Sequence, residues 1–155
     1  MAKMDKTWSG AFVCIFNRNF SKILLLARNW EKKKRQGKEW EGGGTWGNIG
    51  GSVEPGETPL QACIREAKEE IGINLDPNKL VPVYVKKTPA PEPKQYAIHF
   101  YAASIDHKTK IKLNDESYGC KWFSLEDLPD KTLDSKEDLL KWRDLAKSGH
   151  STARN

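Results

Sequence analysis

The chain has 155 residues, of which 37% are hydrophobic, 30% charged and 10% aromatic, the make-up of one folded domain rather than of a disordered or fibrous chain. Its 26 basic and 21 acidic side chains leave a net charge of +5, which favours anionic ligands without amounting to a nucleic-acid coat. No apolar run approaches the roughly 20 residues that cross a bilayer, residues 1–6 lack the apolar core of a signal peptide, and Cys14, Cys63 and Cys120 are too far apart to suggest a zinc site or a disulfide framework, so a reducing cytoplasm is the expected location.

Two short apolar stretches, Gly10 to Phe16 and Ile23 to Ala27, flank Asn17-Arg18-Asn19-Phe20-Ser21, a pattern that predicts a β-hairpin. Arg28 to Gly44 has no apolar periodicity, carries Lys32-Lys33-Lys34-Arg35 and ends in three glycines, so it reads as a long basic loop. Thr45 to Ile49 is expected to form a short strand before Gly50-Gly51. The clearest helix follows: Thr58 is placed as N-cap, Pro59 as first helical residue, Gln61 as partner in a capping box, and Gly72 as the stop. Leu60, Cys63, Ile64, Ala67 and Ile71 then make one apolar stripe that must pack on a sheet.

Leu80 to Lys87 and Gln95 to Ile105 read as strands joined by a stiff segment with Pro89, Pro91 and Pro93. Lys121-Trp122-Phe123 reads as one more strand, Ser124 to Leu128 as a helical turn, and Ser135 to Lys147 as an amphipathic helix bearing Leu139, Leu140, Trp142 and Leu145. This order predicts a mixed sheet flanked by helices, an α/β (α+β) sandwich spanning residues 1–147, with residues 148–155 as a flexible tail.

The chemistry is concentrated on the capped helix. Glu66, Glu69 and Glu70 lie at i, i+3 and i+4, so three carboxylates share one face. Like charges so spaced repel, and something positive is expected to offset them. Hard divalent cations bind oxygen ligands, and Mg²⁺ in particular combines a few carboxylates with water and substrate phosphates. Just upstream, Gly50-Gly51 and Gly56 bracket a loop whose backbone approaches a ligand or metal without Cβ obstruction.

The spacing is Gly51, five residues, Glu57, seven residues, then Arg65-Glu66-Ala67-Lys68-Glu69-Glu70-Ile71-Gly72-Ile73. It resembles the Nudix box of MutT-like hydrolases at every fixed position. The resemblance implies a Nudix-type α/β/α sandwich with a mixed central sheet. It also implies Mg²⁺-dependent hydrolysis, with Mn²⁺ as a substitute, of a nucleoside diphosphate linked to another moiety. Carried over by position, Glu66, Glu69 and Glu70 are catalytic metal ligands, with the carbonyl of Gly50 or Gly51 beside them. Glu66, or Glu116 from a later loop, is the candidate to deprotonate the attacking water. Gly51, Glu57, Arg65 and Gly72 belong to the structural motif, with Glu57 and Arg65 expected as an ion pair that holds the loop against the helix.

By the same resemblance Arg28 is a candidate phosphate contact. Trp46 is a candidate stacking residue, with Trp30 and Trp40 as alternatives. Pro89 lies where some ADP-ribose-cleaving relatives have a proline, a weak cue. The expected ligand is therefore a nucleoside triphosphate or an ADP-ribose-like conjugate. RNA 5′-pyrophosphate removal and non-catalytic nucleotide or RNA binding are the alternatives. No membrane partner is expected, and a monomer or homodimer fits equally.

Overall fold

The computed structural model describes residues 7–28, 45–88, 95–114 and 119–149. The strands are β1 (Thr7–Phe16), β2 (Lys22–Arg28), β3 (Thr45–Gly47), β4 (Ile49–Ser52), β5 (Val81–Lys87), β6 (Gln95–Ser104) and β7 (Cys120–Ser124); the helices are α1 (Pro59–Ile71) and α2 (Lys136–Ser148). All seven strands belong to one mixed sheet, in which β3, β2, β1, β6 and β5 are neighbours in that order, with β4 paired to β1 and β7 to β2.

β1 organises the sheet. It runs parallel to β6 along its whole length, with Phe12 opposite Phe100. It pairs antiparallel with β2 only at its end, Ile15 opposite Leu24. Earlier in β1 that place is taken by β4, Phe12 opposite Gly50. The divergence of β2 from β1 therefore makes room for the Gly-rich strand at the middle of the sheet.

The turn between β1 and β2 is held by Asn17, which is buried. Its Oδ1 accepts from the Ser21 and Lys22 amides, each at 2.9 Å, replacing backbone partners that the turn leaves without one. Phe20 takes a positive φ of 59° there, a conformation a bulky residue keeps only when held. Its ring lies 6.0 Å from that of Phe16, and its carbonyl accepts from Arg143 Nη1.

Side chains alternate along β1, so Ala11, Val13 and Ile15 face α1 while Cys14 and Phe16 face α2. The α1 side closes with Leu24, Leu26, Cys63, Ala67 and Ile71. The α2 side closes with Ile23, Leu25, Val83, Phe100, Leu139 and Trp142. A layer on each face makes the α/β/α sandwich expected from the sequence.

The capping box on α1 forms as written in the sequence: Thr58 Oγ1 accepts from the Gln61 amide at 3.1 Å, and Gln61 Oε1 from the Thr58 amide at 2.9 Å. Gly72 closes the helix at φ 70°. Ala62 joins Cys63, Ala67 and Ile71 among its buried residues, while Leu60 and Ile64 are half-buried at the margin of the core.

Three local expectations are corrected. Thr45 to Ile49 is not one strand, because Asn48 interrupts it and gives β3 and β4 different partners. Ser124 to Leu128 makes a turn, Asp127 N–H to the Ser124 carbonyl at 3.0 Å, without becoming a helix. Ser148, expected in the tail, is the last residue of α2, which Gly149 caps at φ 75°. A 3-10 turn at Pro77–Lys79, capped by Asp76, precedes β5. The basic loop with Trp30 and Trp40, the Pro89 to Pro93 segment, Glu116 and residues 150–155 lie outside the described residues.

Candidate active site

Glycine lets the β4 strand lie against the acidic face of α1. Gly50 has φ 155°, and a Cβ there would collide with the Ala11 carbonyl and with Phe12; a Cβ on Gly51 would collide with the Glu66 carboxylate. Backbone and carboxylate thus approach within a space that any side chain would fill.

Glu70 enters that space. Its Oε1 accepts from the Gly50 amide at 3.0 Å and its Oε2 from Arg28 Nη1 at 3.2 Å. Arg28 Nη2 donates to the Asn48 carbonyl at 2.6 Å and the Gly50 carbonyl at 3.2 Å. Arg28 Nε is buried and has no hydrogen-bond partner among the described residues.

Arg65 governs the other two glutamates. Its Nε and Nη2 hold both oxygens of Glu57, at 2.7 and 3.1 Å, and Nη2 also donates to the Ser52 carbonyl at 2.9 Å. Its Nη1 reaches Glu66 Oε2 and Glu69 Oε1, each at 3.2 Å. One guanidinium therefore fastens the Gly-rich turn to α1 and offsets part of the negative charge of Glu57, Glu66 and Glu69. The positive charge expected from the spacing of the glutamates is supplied by Arg65 and Arg28.

The three glutamates share a helix face but not one environment. Glu66 and Glu70 carboxylates are 15% and 14% exposed, against 56% for Glu69. Burial raises the Glu70 carboxyl to about 7, Arg28 opposing this and Glu66 adding to it. Burial also raises Glu66, against Arg65. Glu57 is lowered by its hydrogen bond from Arg65. The cysteines contribute no nucleophile: burial raises all three thiols, Cys120 to about 12.

Among the described residues no three His, Cys, Asp or Glu side chains converge into a ready-made metal cage. The donor set nonetheless fits a hard divalent cation. Glu66 and Glu70 are oxygen donors held at the edge of a glycine cradle, Glu69 is one turn away at the rim, and the Gly50 carbonyl faces the same guanidinium that binds Glu70. A desolvated carboxyl whose charge is disfavoured is one that a divalent cation would satisfy.

The structure brings Arg28 directly to the carboxylates. Trp46 is set elsewhere: it is half-buried in the packing on the α2 side, edge-on to Phe123 at 4.9 Å, with its backbone bonded to the Lys131 carbonyl and the Leu133 amide. Asn48 and Asp134 were not singled out from the sequence. Asn48 Nδ2 donates to Asp134 Oδ2 at 2.9 Å across 86 residues, a pairing that local pattern does not signal. Burial raises the Asp134 carboxyl, against the bond from Asn48.

The comparisons agree with a sandwich that sets a glycine cradle against a glutamate-bearing helix. A model of the NUDIX domain matches residues 6–143, so the chain belongs to the Nudix hydrolase family. Over 92 residues it is 33% identical to a nucleoside triphosphate pyrophosphatase/Nudix hydrolase fusion protein of Bifidobacterium longum, 59% of this chain and 18% of that protein. Over 126 residues it is 29% identical to an ADP-ribose pyrophosphatase of Methanocaldococcus jannaschii, 79% of this chain and 68% of that protein. The chain spans between 18% and 29% of the length of the first curated relatives it matches. A MutT NUDIX hydrolase structure from Burkholderia pseudomallei superposes with TM-score 0.65 at 24% identity, over 89% of this chain and 98% of that one, which shows the shared fold. Among the described residues no helix is long and apolar enough to cross a membrane.

Proposed function

We propose that the chain is a divalent-cation-dependent pyrophosphohydrolase that cleaves a nucleoside diphosphate linked to another moiety, either a nucleoside triphosphate or an ADP-ribose-like conjugate. The observation that carries this reading is Glu70, a half-buried carboxylate between the Gly50 amide and Arg28, one helical turn from Glu66. Glu66, Glu69 and Glu70, with the Gly50 carbonyl, would hold Mg²⁺, or Mn²⁺ in its place. Such an ion, when bound, supplies charge neutralisation for the diphosphate and lowers the pKa of water.

The remaining steps belong to the chain's own groups. Arg65 holds Glu57, Glu66 and the Ser52 carbonyl together and so keeps the turn and α1 in register for the substrate. Arg28 lies between Glu70 and the Gly50 carbonyl, and its guanidinium would contact a phosphate oxygen of the substrate. Water forms a bond to one phosphorus, the bridging phosphorus–oxygen bond breaks, and the proton released by water passes to a carboxylate, Glu66 or Glu116. The bridging oxygen leaves on the second phosphate.

The test is hydrolysis of a panel under Mg²⁺: the common nucleoside triphosphates, ADP-ribose, dinucleoside polyphosphates and 5′-triphosphorylated RNA, with products resolved by ion exchange. Cleavage of a nucleoside triphosphate or ADP-ribose is the expected result. Cleavage of RNA ends alone would favour the polynucleotide reading, and no cleavage by folded protein would favour a binding role.

A further inference from the structure

The end of β2 remote from Arg28 carries a concentration of positive charge that the hydrolase reading does not use. At ~3.3 Å per residue, β2 sets Lys22 roughly 20 Å from Arg28. Two clefts of about 530 and 540 Å³ flank the β1–β2 turn there and meet at Asn19 and Ser21. Lys136, Arg143, Lys147 and Glu126 border the first, and Arg18, Lys22, Lys108 and Asp106 border the second. Among the described residues six lysine and arginine side chains thus line the pair against two carboxylates. Neither cleft is lined by Arg28, Gly50 or the three glutamates of α1.

The helix sorts its charges. At about 100° per residue, Lys136, Leu140, Arg143 and Lys147 lie within an arc of roughly 60° on α2, and Glu137, Asp138 and Asp144 lie outside it. The row covers about 16 Å along the helix axis. Lys136 and Lys147 are exposed, as are Arg18, Lys22 and Lys108 across the turn. Arg143 is half-buried and oriented: its Nη1 donates to the Phe20 carbonyl at 3.2 Å and its Nε to Asp144 Oδ1 at 2.6 Å. The turn between the clefts is fixed by the Asn17 side chain, whose Oδ1 accepts from the Ser21 and Lys22 amides. The two groups of cations are therefore held in a set relation, which lowers the cost of ordering them around a ligand.

We propose that this end of the molecule binds single-stranded nucleic acid along its backbone, the phosphates lying on Lys136, Arg143 and Lys147 and continuing past the turn to Arg18, Lys22 and Lys108. One small anion cannot reach both ends of a 16 Å row, whereas a polyanion meets every cation in it. Lysine offers a point charge that suits phosphate without fixing a sequence. Asn19, Ser21 and Ser124 border the first cleft with side chains of the kinds that hydrogen-bond phosphate and sugar. Phe20 and Leu140, both half-buried, add an apolar floor against which a base can lie, a feature that an acidic peptide would leave unused. The inference goes beyond the hydrolase reading and stands without it.

The test is fluorescence anisotropy of a labelled oligouridylate of about 15 nucleotides with a 5′-hydroxyl end, in chelator, so that neither a metal nor a cleavable phosphate anhydride is present. Salt is varied from about 50 to 200 mM. Wild-type protein is compared with Lys136→Ala/Lys147→Ala, Arg18→Ala/Lys108→Ala, Lys34→Ala and Glu70→Gln, with circular dichroism to verify each fold. Log affinity is expected to fall linearly with log salt, by ~0.7 for each phosphate contacted, so each double variant lowers the slope by ~1.4 and weakens binding at low salt at least ~10-fold. Glu70→Gln binds as wild type does. An unchanged slope in both double variants would overturn the proposal, as would a loss confined to Lys34→Ala, which would move the contact to the basic run Lys32 to Arg35. Poly-glutamate that competes as well as the oligonucleotide, charge for charge, would overturn the assignment to nucleic acid in favour of an acidic protein. Oligonucleotide binding lost in the double variants, together with absence of any nucleotide cleavage by wild-type protein, would overturn the hydrolase reading and uphold this one.

Discussion

Glu70 and Arg28 are 42 residues apart in the chain and meet at 3.2 Å, with the Gly50 amide completing the cradle from the other side. The pair ties the acidic face of α1 to the end of β2. Burial raises the Glu70 carboxyl to about 7 all the same, against the opposing effect of Arg28. That proton linkage gives the metal-free protein a pH dependence of defined sign.

An unfolded glutamate titrates near 4.5, so between that value and about 7 the native protein holds the extra proton. Stability of the metal-free protein therefore falls as pH rises through this window and levels off above it. Glu70→Gln removes the slope. In the presence of a chelator the variant is expected to gain on the order of 1–3 kcal/mol over wild type at pH 8 and little at pH 4.5, read from urea unfolding at both pH values. An equal difference at both would mean that Glu70 is not the linked group.

Arg65→Lys keeps the charge but loses the fork that holds both Glu57 oxygens while reaching Ser52 and Glu66. A fall in kcat/KM of roughly 10–100-fold is expected, the range for partners that orient metal ligands, with a lowered melting temperature. A variant with wild-type turnover would show that the turn needs no such fastening.

Gly51→Ala places a methyl group against the Glu66 carboxylate. The fold is expected to survive, because Glu66 is at the rim of the core, while hydrolysis falls at least ~10-fold as the carboxylate is displaced. Circular dichroism and steady-state rates together check this. Gly50→Ala, whose methyl would strike the Ala11 carbonyl at a φ of 155°, is expected to damage the fold as well.

The ends of α1, the hairpin and the flanking of the sheet by helices were legible in the sequence because each is set by local pattern: Thr58 with Gln61, Gly72 at the stop, the turn residues between two apolar stretches, and the order of the elements. The glutamate spacing was legible for the same reason. What the sequence did not show are the long-range partners. Asn48 breaks the expected single strand because its carbonyl serves Arg28 and its side chain serves Asp134, and neither partner is a neighbour in the chain. Trp46, a candidate stacking residue, packs at 4.9 Å against Phe123, 77 residues away, a contact that local pattern does not signal. Glu70 and Glu69 look alike in the sequence and differ in burial because Glu70 meets Gly50 of β4 and Arg28 of β2.

Mg²⁺ is expected to raise the melting temperature of the wild-type protein, since a ligand that binds only the native state stabilises it by about 2.7 kcal/mol at 100 times its Kd. Glu66→Gln and Glu70→Gln should each shrink that shift, and Glu69→Gln less so, because its carboxylate is the exposed one. Identical shifts in all three variants would place the cation elsewhere.

The most direct test is turnover of the best substrate from the panel by wild-type protein and Glu70→Gln across a Mg²⁺ titration, with circular dichroism to verify the fold. The expected result is Mg²⁺-dependent cleavage by the wild type and a loss of at least ~100-fold in the variant, more than an outer partner of a metal ligand costs. Near-normal turnover by folded Glu70→Gln would contradict the assignment of this carboxylate to the reaction.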